Sequence, residues 1–305
     1  MINPASLFAA VDRAMFRLLR GTALAERYFW LNRIAFARLL PEQRFWVDVP
    51  DCGWMWLDKV DVVNLFLYYF GGWEPAITRI VRQSLKPGDS FLDVGANVGY
   101  YTLLAARLVG ETGRVIAVDA SPSVFGILSA NVARNRCANV ELHNVAIADG
   151  AARRRIYRGD RFNVGNTAVF DGADRSYEGE VDAVTIDELL DGRDLSGLAC
   201  IKIDVEGAEL QVVRGMPRTL RRLPRGCRIF LEASAGSLRA QGADIQALLE
   251  PFVAGGFRVL RIDNRYDFAF YDTFRAQPPS LVDAKSLEAE RLVDLLLSRS
   301  DVVAN

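Results

Sequence analysis

The chain has 305 residues and a formal net charge of −1; half of it is hydrophobic and a quarter is charged. That composition supplies a sizeable core, and the near-neutral balance argues against nucleic acid as the main partner. The single histidine, His143, excludes the usual zinc-hydrolase sites.

The four cysteines, Cys52, Cys137, Cys200 and Cys227, stand too far apart for a disulfide framework or a zinc knuckle, which makes a reducing compartment the default. Asp12 and several arginines precede any long apolar run, so the N-terminus does not read as a signal peptide. The most hydrophobic stretch, Val62 to Trp73, is too short to span a bilayer. A soluble, cytoplasmic protein is expected.

In chain order, residues 6–40 predict a helix in which Leu7, Phe16, Leu19, Phe29, Ile34 and Phe36 are interspersed with arginines. Packing on the main domain is the favoured reading, with peripheral contact to an anionic membrane as the alternative. Trp46–Leu57 suggests a hairpin, and Glu74–Leu85 a helix stopped by Lys86-Pro87-Gly88. From Ser90 the pattern turns to strand–helix alternation: strands at Ser90–Val94, Arg114–Val118 and Val140–Asn144, with helices at Tyr100–Leu108 and Pro122–Ala133 between them. Asp149–Glu180 is irregular and carries Arg153–Arg155, Arg158 and Arg161; Phe162–Thr167 within it reads as a loop capping a substrate pocket. Val181–Ile186 resumes strand character, with Asp187 as cap of a short helix. Strands at Cys200–Ile203, Arg228–Leu231, Arg258–Ile262 and Asp267–Tyr271 alternate with helices at Ala208–Gly215 and Ile245–Ala254, and Leu287–Leu297 reads as a final amphipathic helix.

Such alternation means an α/β fold, doubly wound around a mostly parallel sheet. The divisions are an N-terminal extension (1–85), a cofactor-binding domain (86–275) and a C-terminal helix (276–305).

The informative segment is Phe91-Leu-Asp-Val-Gly-Ala-Asn-Val-Gly-Tyr100. An apolar strand ends in Asp93, and Gly95, Ala96, Asn97 and Gly99 form a tight turn into a helix, where an α/β sheet binds its ligand. A dinucleotide wants G-x-G-x-x-G and no acid beside its pyrophosphate, whereas position 97 is Asn and Asp93 stands at the turn. S-adenosylmethionine has no phosphate, and its sulfonium and ammonium suit a carboxylate. Asp119 ends the next strand, placed to accept both hydroxyls of a ribose, and Asn144 and Ala146 follow the third strand beside the adenine. An NAD-dependent oxidoreductase is the second reading, and a non-catalytic, membrane-associated scaffold the third.

With these segments, Ser121-Pro122 followed by Asn131 and Asn135, Thr185-Ile-Asp187, and above all Ile201-Lys-Ile-Asp-Val-Glu-Gly-Ala-Glu209, the sequence resembles the FkbM-type methyltransferases. Gly72-Trp-Glu-Pro75 and Lys86-Pro-Gly-Asp89 also look like that family. The resemblance implies a class I methyltransferase fold, Rossmann-like, dependent on S-adenosylmethionine. It further implies methyl transfer to a hydroxyl of a sugar, glycan or secondary metabolite.

Asp204 ends one strand, Glu206 follows it, and Glu232 ends the next. These are the candidate catalytic acids. Methylating a hydroxyl requires alignment and removal of a proton, and clustered acids raise one another's pKa. No residue is assigned to a metal, although such acids also suit a divalent cation.

Overall fold

The structure, a computed structural model, describes residues 4–39, 44–159, 176–275, 277–288 and 290–300. It opens with α1 (Pro4–Leu19) and α2 (Ala23–Leu39). The one helix expected over 6–40 is divided because Gly21 takes φ +77°, a left-handed conformation at which the chain reverses. A hairpin follows, β1 (Arg44–Val49) and β2 (Gly53–Asp58), with Trp46 opposite Trp56. The apolar stretch from Val62 is α3 (Val62–Phe70), capped by the Asp61 side chain, and α4 (Pro75–Ser84) comes next.

The alternating region then runs β3 (Ser90–Val94), α5 (Tyr100–Val109), β4 (Arg114–Val118), α6 (Pro122–Arg134) and β5 (Val140–His143). Three strands follow, β6 (Ala146–Ile147), β7 (Ala152–Arg158) and β8 (Ser176–Val184), then α7 (Ile186–Leu189), β9 (Leu198–Ile203), α8 (Glu209–Arg214) and α9 (Pro217–Arg222). The last elements are β10 (Arg228–Ser234), α10 (Ala235–Ala240), α11 (Ile245–Ala254), β11 (Arg258–Ile262), α12 (Phe268–Thr273), β12 (Ser280–Leu281) and β13 (Leu292–Ser298).

Eight strands form the central sheet in the order β12-β11-β13-β10-β9-β3-β4-β5. β10, β9, β3, β4 and β5 are mutually parallel, while β13 runs antiparallel between β10 and β11. This is the doubly wound α/β architecture that the alternation predicts, and the class I methyltransferase fold that the resemblance implies. The strand order reverses at β3, so the crevice beyond its carboxyl end is where such a sheet takes a ligand. Among the described residues, no helix is long and apolar enough to cross a membrane.

Several expectations are corrected. Leu287–Leu297, and with it the C-terminal helix of 276–305, gives way to strand β13. Val293, Leu295 and Leu297 enter the core on one face of the sheet and Leu296 the core on the other. A strand buried on both faces reads as a continuous apolar run, which periodicity does not separate from a helix. Asp267–Tyr271 is the start of α12 rather than a strand, because the Asp267 side chain accepts the Phe270 N–H at 2.8 Å and caps a helix.

The Asp149–Glu180 region is not irregular throughout. β7 and β8 pair antiparallel there, and Arg153 meets Asp182 at 2.9 Å while Arg155 reaches Glu180 at 3.6 Å. The expected pocket loop Phe162–Thr167, and Arg161, lie outside the described residues. Asp187 does not cap α7; Thr185 does so with a reciprocal bond to Glu188, and Asp187 accepts N–H groups of Arg218 and Thr219 at the start of α9.

Candidate active site

Turn geometry at the end of β3 follows from three residues. Gly95 takes φ +84°, and a Cβ there would stand 1.7 Å from the Asp204 carbonyl oxygen, so only glycine allows the ends of β3 and β9 to approach. Gly99 takes φ +92°, and its Cβ would meet Leu128 at 2.6 Å. Between them Asn97 is left-handed at φ +50°, a conformation asparagine tolerates, and its side chain accepts the Val98 N–H at 2.8 Å.

The open cavity beyond this turn is lined by Gly95, Asn97, Asp119, Ala146, Asp204 and Glu206, with apolar neighbours including Val118, Val145 and Ile147. Among the described residues its ionisable lining is acidic, with no lysine or arginine. That chemistry suits a cationic ligand without phosphate and opposes a pyrophosphate, which counts against the dinucleotide reading. Asp119 takes the Asn97 N–H at 2.8 Å on one oxygen and the Ser121 N–H at 2.9 Å on the other. Each oxygen keeps a lone pair for a ligand hydroxyl. Burial pushes this carboxyl up to about 7, against those two backbone bonds.

Beside the cavity, one face of the sheet carries a row of charges. Asp93 on β3 is level with Lys202 on β9, and Glu232 on β10 is level with Asp294 on β13. Lys202, almost wholly buried, donates to Asp204 at 2.6 Å, lies 4.0 Å from Glu74 and sits over the Tyr101 ring. Burial alone would lower its pKa, but Asp204, Glu74 and Asp93 together hold it above the ordinary lysine value. Glu74 is buried in a left-handed conformation at φ +44°; the Tyr271 hydroxyl accepts its N–H and the Tyr101 hydroxyl donates to its carboxylate. Strain of this kind persists where surrounding contacts over-determine it.

The Tyr266 hydroxyl lies 2.8 Å from Glu74, 2.7 Å from Glu232 and 3.3 Å from Asp294. A phenol has one proton to donate. At least one of the two nearest carboxyls must therefore carry a proton of its own and donate back. The electrostatics agree: burial raises Glu74 despite Lys202, burial together with Asp204 and Asp294 raises Glu232 well above the carboxylate range, and burial with Glu74 pushes Asp294 up to about 7. Oxygens of Glu74, Glu232 and Asp294 all lie within 4.8 Å of one another, a hard donor set of the kind cations take. Here the tyrosine hydroxyl already bridges them.

Residues 93–259, more than half of the chain, match the model of the methyltransferase FkbM domain. The chain belongs to that family. The 31-O-demethyl-FK506 methyltransferase FkbM of Streptomyces tacrolimicus is 29% identical over 160 residues, 43% of this chain and 61% of that protein. Methyltransferase 1 of Beauveria bassiana is 25% identical over 149 residues, 43% of this chain and 59% of that protein. The chain thus spans about three fifths of the length of these two relatives. Among solved structures, the methyltransferase FkbM from Methylobacillus flagellatus is 15% identical, with 78% of this chain and 54% of that one covered and a TM-score of 0.42.

Within this FkbM domain, Gly95, Asn97, Asp119, Ala146, Asp204 and Glu206 come together around one cavity. Others of the expected residues stand behind its wall. Asp93 is buried and accepts from the Thr102 hydroxyl at 2.6 Å; burial pushes it up to about 6 against Lys202 and that bond. The Ala96 N–H is taken by the Val118 carbonyl. Asn144 donates to the Asp119 and Ala120 carbonyls, holding the β4 end. Gly99 caps α5, and Glu232 belongs to the tyrosine-bridged cluster. His143 pairs with Glu141, itself bound by Arg193.

Sequence reasoning passes over three members of the charged row. Glu74 stands in the quoted Gly72–Pro75 segment, where a residue before proline is expected to be extended; its left-handed φ of +44° is seen only in the fold. Asp294 hides in the strand misread as a helix. Tyr266, in the segment after β11, has no sequence signal. Glu209, the acid that closes the Ile201–Glu209 motif, accepts the Gly207 N–H at 2.9 Å through its carboxylate and steadies the turn in which Glu206 is left-handed.

Proposed function

We propose that this FkbM-domain protein is an S-adenosylmethionine-dependent O-methyltransferase acting on a hydroxyl of a small molecule or glycan. The observation that carries the reading is the juxtaposition of an acid-lined, phosphate-hostile cavity with a proton-sharing cluster of acids and tyrosine. The name of the Streptomyces relative, which specifies transfer to oxygen, supports the choice of acceptor atom. S-adenosylmethionine supplies an electrophilic methyl on a positively charged sulfur.

The chain's own residues do the remainder. Asp119 receives the ribose hydroxyls, while Gly95 and Asn97 let the backbone approach. Asp204 joins the two regions, since it lines the cavity and is held by Lys202. An acceptor hydroxyl entering over the ends of β9 and β10 meets carboxylates able to take its proton. With the shared proton on Glu232, a proton taken by one of its oxygens is balanced by one passed through the Tyr266 hydroxyl to Glu74.

Calorimetric titration with S-adenosylhomocysteine tests the reading. Micromolar binding by the wild type is expected, with an affinity at least about tenfold weaker in Asp119→Ala, from the loss of charge-assisted bonds. Absence of binding by the folded wild type overturns it.

A further inference from the structure

The N-terminal helices α1 and α2 turn Asp12, Phe16, Ala25 and Phe29 inward, where they are buried. Their opposite side is unusually apolar for a surface. On α1, Val11, Met15 and Leu18 follow one another at helical spacing and are 59%, 45% and 79% exposed. On α2, Leu24, Leu31 and Ile34 are 57%, 64% and 49% exposed, and Arg27 lies among them on the same face. Large apolar side chains grouped in this way mark an interaction surface rather than the scattered exposure of an ordinary one.

Charge decides the partner. Between residues 11 and 34 the exposed basic residues are Arg17, Arg20 and Arg27, and the exposed acid is Glu26, since Asp12 is buried against Lys59. A two-fold interface with a second copy brings the same patch onto itself, so Arg17 and Arg27 would meet like charge or be buried with one acid between them. An anionic lipid surface supplies the missing negative charge in its headgroups. Its interface also lets Arg27 extend outward while the leucines beside it enter the acyl boundary. We propose that the exposed side of the α1–α2 pair docks on an anionic phospholipid surface.

Co-sedimentation of the full chain with vesicles tests this, using phosphatidylglycerol mixed with phosphatidylethanolamine and, separately, phosphatidylcholine alone. Partition onto the anionic vesicles is expected to exceed that onto the zwitterionic ones and to fall as salt rises. The double variant Arg17→Gln/Arg27→Gln is expected to lose roughly thirtyfold, from about 1 kcal/mol per basic residue at such a surface. Leu18→Ser/Leu31→Ser is expected to lose at least about tenfold. Both variants should keep the wild-type circular dichroism and S-adenosylhomocysteine affinity. The proposal fails if the wild type binds neither vesicle or if both variants bind as the wild type does. It fails equally if light scattering finds a wild-type dimer that Leu18→Ser/Leu31→Ser dissociates, which would assign the face to self-association.

Discussion

At the scale of single residues, the site is a balance between buried acids and one lysine. Glu232, Asp294 and Glu74 face one another through Tyr266, with Lys202 as the nearby cation. The consequence for stability follows from the direction of the shifts. Glu232 has an ordinary value of 4.5 and is raised in the fold. Its carboxyl therefore stabilises the fold fully below that value and progressively less as the pH rises toward the folded one. Replacing Glu232 with Gln removes the titration and keeps the shape. Melting curves of Glu232→Gln and wild type should coincide near pH 4.5 and separate as the pH rises, the variant melting about 2–4 °C higher at pH 8. Methyl transfer should fall with the same change, the usual trade between a strained site and a stable one. A variant less stable than wild type at pH 8 would mean that Glu232 is ionised without cost.

At the scale of elements, Asn131 in α6 connects the hairpin to the cofactor turn, and Asn135, which caps the helix, holds the hairpin beside it. The fully buried Asn131 accepts the Trp56 N–H at 2.7 Å and donates to the Val98 carbonyl at 2.8 Å, inside the glycine turn. Asn135 grips Trp54 through both its N–H and its carbonyl. Asn131→Ala should therefore cost about 2–3 kcal/mol in urea unfolding, from two lost bonds and the unpaired backbone groups they leave. It should also weaken S-adenosylhomocysteine binding, which Asn135→Ala should leave nearly unchanged. What was legible in the sequence follows the same division. Local signals placed β3, β4, β9 and β10 within three residues, because a short apolar run closed by an acid is punctuation visible in one dimension. The strand β13 was illegible because both its faces are buried, and α12 because one capping aspartate outweighs a short apolar run. Tyr266 reaches the site only through the fold of the sheet, so nothing beside it in the chain announces it.

At the scale of the whole molecule, the N-terminal segment and the sheet share one core. Phe16 and Phe29 of the first two helices belong to the same buried cluster as Phe91, Phe230 and Leu296 of the central strands. A single carboxylate fastens the N-terminal segment to itself. Asp12 pairs with Lys59 and accepts the hydroxyls of Tyr28, Tyr68 and Tyr69 at 2.6 to 3.2 Å, drawing α1, α2 and α3 onto the hairpin. Continuity of the core requires the segment and the sheet to unfold together. The five tryptophans permit a clean test, since Trp30, Trp46, Trp54, Trp56 and Trp73 all precede the first strand of the sheet. Tryptophan fluorescence follows the N-terminal segment, while far-ultraviolet dichroism follows every element. The two signals should give one coincident urea transition. Asp12→Leu should lower both midpoints together, for a loss of about 3–5 kcal/mol of stability, because it removes the carboxylate that neutralises a buried ammonium. Asp12→Leu/Lys59→Met should recover much of that loss, an apolar pair standing in for an ionic one. A fluorescence transition that precedes the dichroism in the wild type would show instead that the helices and hairpin detach before the sheet melts.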